Sequence, residues 1–195
     1  IEGEYPDKVR FFNFWFQIFR LQEMKVPGAF AELGVYKGET ARLLRHAAPE
    51  RELYLFDTFE GFPSTDLEGE TGEAAKYSTK NFADTSVEKV LQKIGTSQGI
   101  HIQQGYFPET AIGLEREQFA LVSMDVDLYK PTIEGLKFFY PRLVPGGVLL
   151  IHDHDERWPG ILQAVKEFSE NIPEVFIPLP DMYSSVMLIK SRSQS

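Results

Sequence analysis

"GAFAELGVYKGETARLLRHAA", Gly28 to Ala48, changes character twice along its length. It opens as an apolar run that reads as a strand, tightens at Gly34 and Gly38, and continues as a helix. A strand that runs through glycines into a helix is the form of a nucleotide-type loop, with the helix N-terminus facing the ligand. Gly34 lets the backbone turn, and Gly38 lets the helix start pack close.

The same rhythm continues outward. "ELYLFDTF" (Glu52 to Phe59), "GIHIQQG" (Gly99 to Gly105), "FALVSMDVD" (Phe119 to Asp127) and "PGGVLLIHDHD" (Pro145 to Asp155) read as strands. Helices are expected in "TSVEKVLQKIGTS", capped by Thr85 or Ser86 with Val87, Val90, Leu91 and Ile94 inward, in "PTIEGLKFFYPRL" with Pro131 in its first turn, and in "PGILQAVKEFSEN". "EVFIPLP" and "SSVMLIKS" read as two closing strands, antiparallel to each other. Strands alternating with helices predict a parallel sheet covered on both faces. The front of the chain, residues 1–26, predicts an aromatic helix with Phe12, Trp15, Phe16 and Phe19 on one apolar face. Residues 60–80 are polar and glycine-rich and read as a mobile loop. No linker divides residues 1–195, which are expected to form a single domain.

Composition narrows the function. The net charge of -9 argues against a nucleic-acid surface, which needs a basic face. Part of the imbalance is local, in "DLEGETGE" (Asp66 to Glu73). The absence of cysteine excludes disulfides, zinc–thiolate sites and a thiol nucleophile. No apolar run approaches the ~20 residues of a membrane span, and the polar start carries no signal peptide. These features are read as a cytoplasmic protein with no nucleic-acid or membrane partner.

In such a sheet the functional residues sit at the carboxyl ends of the strands. Here those ends carry Glu32, Asp57, Gln104, Asp125 with Asp127, and His152 with Asp153. The dinucleotide fingerprint G-x-G-x-x-G requires glycine where Tyr36 stands. A tyrosine there blocks a pyrophosphate and disfavours NAD or FAD. The looser E-x-G-x-x-x-G spacing suits S-adenosylmethionine; an ordinary strand–helix turn is the competing reading. Asp57 lies about 20 residues past Gly34, the spacing of an acid that accepts ribose hydroxyls. Asp125, His152 and Asp153 can ligate a divalent cation, Mg²⁺ if the donors are oxygens alone and Mn²⁺, Fe²⁺ or Zn²⁺ with the imidazole. The alternative is a core histidine beside solvated acids. Strand alternation would pair His152 with His154 and Asp153 with Asp155. Trp158 lines a substrate pocket or packs in the core, and His46 and His101 read as surface residues.

Together "ELGVYKGET", "DTFEGFP", "GYFPET", "SMDVDLYKPTIEGLKFFYPRLVPGG" and "VLLIHDH" resemble the macrocin O-methyltransferase family of class I S-adenosylmethionine-dependent enzymes. The resemblance implies a Rossmann-like α/β fold: a seven-stranded, mostly parallel sheet with one antiparallel strand and helices on both faces. It implies a cofactor site of Glu32, Gly34, Val35, Tyr36, Gly38 and Thr40 at the methionine end. Asp57 would meet the ribose, with Thr58 next to it in the cofactor set, and Gly105 and Tyr106 would lie near the adenine or close the pocket. A Mg²⁺ or another divalent cation would sit on Asp125, His152 and Asp153, and Asp127, with Asp125 as the other candidate, would take the acceptor's proton. The family's acid pair is Asp-Asp where this chain has His-Asp, which leaves the metal's identity open. The implied acceptor is a small molecule, a glycosylated metabolite or saccharide, with the loop 60–80 as lid. A catechol acceptor, a non-catalytic S-adenosylmethionine-binding protein and a nucleotide-sugar or NAD-linked enzyme are the rival readings. The aromatic first helix allows a homodimer.

Overall fold

The computed structural model describes residues 2–191. Seven strands form one sheet in the order β3-β2-β1-β4-β5-β7-β6. They are β1 Ala29–Leu33, β2 Leu53–Asp57, β3 Ile100–Gln104, β4 Phe119–Met124, β5 Leu143–Ile151, β6 Ile177–Pro178 and β7 Val186–Ile189. All neighbours from β3 to β5 pair in parallel, and β7 runs antiparallel to both β5 and β6. The expected doubly covered, mostly parallel sheet with a single antiparallel strand is therefore present. Strand order reverses between β1 and β4, which places a crevice there at the carboxyl ends.

Alternate strand residues feed two separate cores. Phe30, Leu55, Leu121 and Leu150 face one side, under α1 (Lys8–Glu23), α2 (Glu39–Ala47) and α4 (Val87–Ile94). Phe56, Phe119, Val122 and Ile151 face the other, under α5 (Tyr129–Arg142) and α6 (Pro159–Ser169). The second core is aromatic: Phe139 stacks on Phe107 at 5.8 Å and meets Phe56 and Phe119 edge-on.

Ser86 is the cap of α4, accepting from the Lys89 amide at 3.3 Å, while the Thr85 hydroxyl bonds the Tyr36 carbonyl instead. Of the four residues expected inward on α4, Val90 alone is fully buried. Ser86→Ala is expected to cost about 1 kcal/mol, read as a lower urea midpoint at unchanged slope.

Three expectations need correction. The core face of α1 is Phe11, Phe14, Ile18 and Leu21. Phe12, Trp15, Phe16 and Phe19, the expected apolar face, point outward. Rings occupy both sides of this helix, so helical spacing alone does not choose between them. β6 keeps two residues of "EVFIPLP", because Pro178 and Pro180 cannot donate to a ladder. The stretch 60–80, expected to be irregular, contains α3 (Ser64–Leu67) and a 3-10 turn at Ala74–Lys76, and its Phe62, Asp66 and Tyr77 line the crevice. Among the described residues no helix is long and apolar enough to cross a membrane.

Candidate functional site

The crevice is a cavity of about 740 Å³. Its floor is the turn after β1. The Gly34 amide bonds the Phe56 carbonyl at 2.9 Å, and a Cβ on Gly34 would lie 1.9 Å from the Asp125 carbonyl oxygen. With φ +85 as well, no other residue fits there. Asp57 fixes the turn: its Oδ2 accepts the amides of Val35 and Tyr36 at 2.7 and 2.8 Å, and its Oδ1 that of Phe59 at 2.7 Å. Three of the carboxylate's roughly four lone-pair sites are thus filled by backbone, leaving about one for a ligand. Thr58 donates to the Gly61 carbonyl at 2.7 Å and shapes the next turn. Gly38 opens α2 in a left-handed conformation, against Val90 of α4. Thr40 is buried, with its hydroxyl 2.9 Å from that of Tyr5.

Glu32 lies beneath this turn at 3 % exposure, and its Oε2 has no partner among the described residues. Burial drives its carboxyl well above the ordinary range, against the pull of Arg10. An orphaned acceptor at the cavity wall is a place for a ligand's cationic or N–H group. Gly105 and Tyr106 close the far end. The Tyr106 hydroxyl donates to Asp66 at 2.9 Å, and Lys130 reaches the same Asp66 oxygen at 2.8 Å.

The strand-end acids meet beside the turn. Asp125 Oδ2 accepts from Arg10 at 2.9 Å, and its Oδ1 lies 3.3 Å from His152 Nδ1. Asp153 Oδ1 lies 3.2 Å from the same nitrogen. Both carboxylates are within ion-pair reach of Nδ1, yet neither is aligned for a hydrogen bond, and the nitrogen is buried without one. Burial opposes a charge on His152, but Asp125 and Asp153 push its pKa up to about 10. Burial likewise opposes Asp125's charge, yet His152 and Arg10 hold its carboxyl well below the usual carboxylate range.

His152 and Asp153 face the site together because β5 ends at Ile151 and Asp153 turns left-handed at φ 58. Strand alternation stops there. Asp155 instead binds Arg157, and the His154 amide bonds the Ser184 carbonyl at 2.8 Å. Asp127, also left-handed at φ 59, aims at the cavity and accepts from the Tyr77 hydroxyl at 3.2 Å. Tyr77 in turn accepts from Trp158 Nε1 at 3.3 Å, and Trp158 packs edge-on to Tyr183 at 5.6 Å. The segment carrying Tyr77 is tied down elsewhere too: Glu70 accepts the Tyr129 amide at 2.6 Å, and the Glu73 amide bonds the Arg157 carbonyl at 2.7 Å.

Sequence reasoning missed Arg10, Tyr5 and Tyr77. Arg10 had a signal: it is a charge within the buried face of α1, and a buried charge requires a partner. Tyr77 had none, since it reaches Asp127 across fifty residues of chain.

A family profile described as macrocin O-methyltransferase (TylF) matches residues 7–182. This chain belongs to that family. The two ends of the matched segment touch, as Asp7 Oδ2 accepts the Met182 amide at 2.6 Å. Among curated relatives, an 8-demethyl-8-(2,3-dimethoxy-alpha-L-rhamnosyl)-tetracenomycin-C 4'-O-methyltransferase from Streptomyces olivaceus is 28% identical over 140 residues, covering 66% of this chain and 54% of the relative. A mycinamicin III 3''-O-methyltransferase from Micromonospora griseorubida is 27% identical over 158 residues, 74% of this chain and 61% of the relative. The chain therefore spans a little over half the length of the curated relatives it matches. The solved structure of the O-methyltransferase NovP superposes with a TM-score of 0.82 at 22% identity, covering 95% of this chain and 81% of that one. CalS11, a calicheamicin methyltransferase, gives 0.71 at 23% identity, covering 93% and 79%. The family's fold is thus the one seen here: a Rossmann-like, class I methyltransferase architecture.

Proposed function

We propose that this chain is an S-adenosylmethionine-dependent O-methyltransferase that modifies a sugar hydroxyl of a glycosylated metabolite or saccharide. One observation carries the reading: Asp127 faces the cavity beside the glycine turn with one neutral hydroxyl as its hydrogen-bond partner. A carboxylate that faces the cavity, and that no cation holds among the described residues, is free to accept a proton. Membership of the family supports the transfer chemistry. The sugar-directed names of the relatives from Streptomyces olivaceus and Micromonospora griseorubida support the acceptor class.

S-adenosylmethionine, when bound, supplies a methyl group on a sulfonium centre. The chain's own part is to hold and to orient. Glu32, with its orphaned Oε2, and the turn Gly34 to Thr40 form the cradle for the methionine end. Asp57 keeps one acceptor site for a ribose hydroxyl, and Gly105 with Tyr106 walls the base. The acceptor hydroxyl lies against Asp127, which takes its proton. The segment 60–80 covers the crevice and excludes water through Tyr77 and its neighbours. A cytoplasmic location fits a chain without cysteine.

A divalent cation fits the site. Asp125, His152 and Asp153 each offer one ligand atom, all within 4.8 Å of one another, and the buried, unpartnered Nδ1 is one of them. Arg10 occupies the opposite oxygen of Asp125 and leaves Oδ1 for the ion. Held there, such an ion would supply Lewis-acid chemistry to the acceptor hydroxyl.

The test is incubation with S-adenosylmethionine and a panel of glycosides, followed by mass spectrometry. The expected product carries one added methyl ether on the sugar. Transfer to catechols alone would redirect the acceptor class, and no transfer to any acceptor would remove the enzymatic reading. Tyr77→Phe is expected to lower kcat about tenfold, the value of one lost hydrogen bond to a charged group, with little change in KM for the methyl donor. An equal rise in both KM values at constant kcat would assign Tyr77 to binding alone.

A further inference from the structure

The rim of the cavity carries a backbone feature that the proposed chemistry does not use. Tyr183 and Ser184 are both left-handed, at φ 65 and 57. Each such residue costs roughly 1–2 kcal/mol, and a consecutive pair persists only where its surroundings hold it. Here they do. The buried Asp181 accepts the Ser185 amide on Oδ1 at 2.6 Å and the Ser184 amide on its carbonyl at 3.2 Å. The Met182 amide donates to Asp7, the Met182 carbonyl accepts from His152 Nε2 at 3.0 Å, and the Ser184 carbonyl accepts the His154 amide at 2.8 Å. Backbone on both sides of Tyr183 is thus tied to the end of β5, where His152 meets Asp125. What all these bonds hold in place is the Tyr183 side chain.

Tyr183 lines the cavity, and it is 44% exposed. Other rings on the cavity wall are packed on one another: Phe62 stacks on Tyr77 at 5.4 Å, and Phe82 meets Tyr36 edge-on at 5.0 Å. Trp158 is buried. Tyr183 is fixed without being covered. The Arg157 guanidinium carbon lies 4.8 Å from its centroid, and Arg157 is itself paired with Asp155. The rings of Trp158 and His152 stand edge-on to it, with centroids at 5.6 and 6.1 Å. A ring that the fold immobilises and leaves open loses little freedom when a ligand docks on it.

We propose that Tyr183 is the platform for the acceptor's sugar: its ring stacks on the apolar C–H face of a pyranose, whose hydroxyl edge turns toward Asp127 and the acids beside His152. The inference rests on the reading of the crevice as a sugar O-methyltransferase, and it adds the residue that selects the acceptor class. A pyranose is two-sided, with ring hydrogens on an apolar face and hydroxyls along a polar edge. A site that orients it needs an aromatic face next to hydrogen-bonding acids. The two are adjacent here, since the imidazole 6.1 Å from Tyr183 is the one within ion-pair reach of Asp125 and Asp153. A flat aromatic acceptor such as a catechol is held best in a slot between two parallel rings. Tyr183 stands at 74° to Trp158 and at 89° to His152, so these rings form no such slot.

The test is saturation-transfer NMR of methyl α-L-rhamnopyranoside, a sugar without an aromatic aglycone, on the chain loaded with S-adenosylhomocysteine, whose own affinity is measured by calorimetry. Millimolar binding of the sugar is expected, with saturation strongest on the ring hydrogens of one face. Tyr183→Ala is expected to weaken the sugar at least about tenfold, and Tyr183→Phe, which keeps the face, to stay within about twofold of the parent. All three chains are expected to bind S-adenosylhomocysteine equally. Failure of the parent to bind the nucleoside overturns the underlying reading and the platform with it. Binding of the nucleoside without the sugar overturns the platform alone. So does a sugar affinity indifferent to Tyr183→Ala. A loss in Tyr183→Phe as large as in Tyr183→Ala overturns stacking in favour of a bond to the hydroxyl. A parallel loss of nucleoside affinity in Tyr183→Ala overturns the proposal by making the ring part of the site's frame.

Discussion

Asp127→Asn is expected to lower kcat about 100- to 10,000-fold, the range that a positioned general base contributes, with affinity for S-adenosylhomocysteine unchanged. Asparagine keeps the size of the side chain and its bond to Tyr77 but cannot take a proton. The pH dependence follows from the surroundings of Asp127. Burial first, then the neighbouring charges of Asp125 and Asp153, raise its carboxyl well above the ordinary carboxylate range. The base must be ionised to work, so kcat/KM rises with pH through an apparent pKa above that range. The group titrates together with its neighbours, so the value belongs to the cluster. Asp127→Asn removes the limb. Stability moves the other way. A carboxyl whose pKa is higher folded than unfolded favours folding in its protonated form. That contribution is complete below the unfolded value and is lost as pH rises through the folded one. Above the unfolded value the native state therefore holds this carboxyl at a cost that the unfolded chain does not bear, and Asp127→Asn is expected to raise the thermal midpoint at pH 8 and to leave it nearly unchanged at pH 4. Loss of activity with a gain in alkaline stability is the combined signature. Loss of both would mark Asp127 as a structural residue.

Gly34→Ala is expected to destabilise the fold by at least about 3 kcal/mol and to abolish cofactor binding. The left-handed backbone alone costs roughly 1–2 kcal/mol for a residue with a Cβ. The contact is worse: the new methyl would sit 1.9 Å from the Asp125 carbonyl oxygen and 2.7 Å from its carbon. Backbone must move to relieve it. The Asp125 amide is bonded to the Leu33 carbonyl at 2.9 Å, so movement opens the β1–β4 pairing at the crevice. The Asp125 side chain then leaves both Arg10 and His152. The turn whose amides Asp57 holds is displaced as well. In a chain of this length the thermal midpoint should fall by roughly 10 °C. A variant that melts like the parent and binds the nucleoside would contradict the close approach of these two strands.

How far the sequence spoke depended on the range of each contact. The strand–glycine–helix unit at Gly34 is local, and its repetition implied the parallel order. The strand-end position of Asp125, Asp127, His152 and Asp153 follows from the same rhythm, so the acidic rim is legible in the chain itself. Asp57 was legible as a site acid, while its bonds to the Val35 and Tyr36 amides depend on the strand pairing. What was not legible comes from elements that fold back over long distances. Arg10 meets Asp125 across more than a hundred residues, and periodicity carries no record of that. The docking of the segment 60–80 rests on Asp66, Glu70 and Tyr77, each matched to a group on a different element. A polar, glycine-rich composition describes an open loop equally well. α1 was misread for a simpler reason: with rings on both faces, orientation is decided by what the sheet accepts.

The measurement that bears most directly on the proposed function is calorimetric titration of the chain with S-adenosylhomocysteine, repeated with Asp57→Ala. One-to-one binding in the micromolar range is expected for the parent. The substitution is expected to weaken it by at least tenfold, because the turn loses its anchor and the ribose loses an acceptor. Absence of binding by the parent at millimolar nucleoside, in the presence or absence of Mg²⁺, would contradict the assignment of this crevice to S-adenosylmethionine.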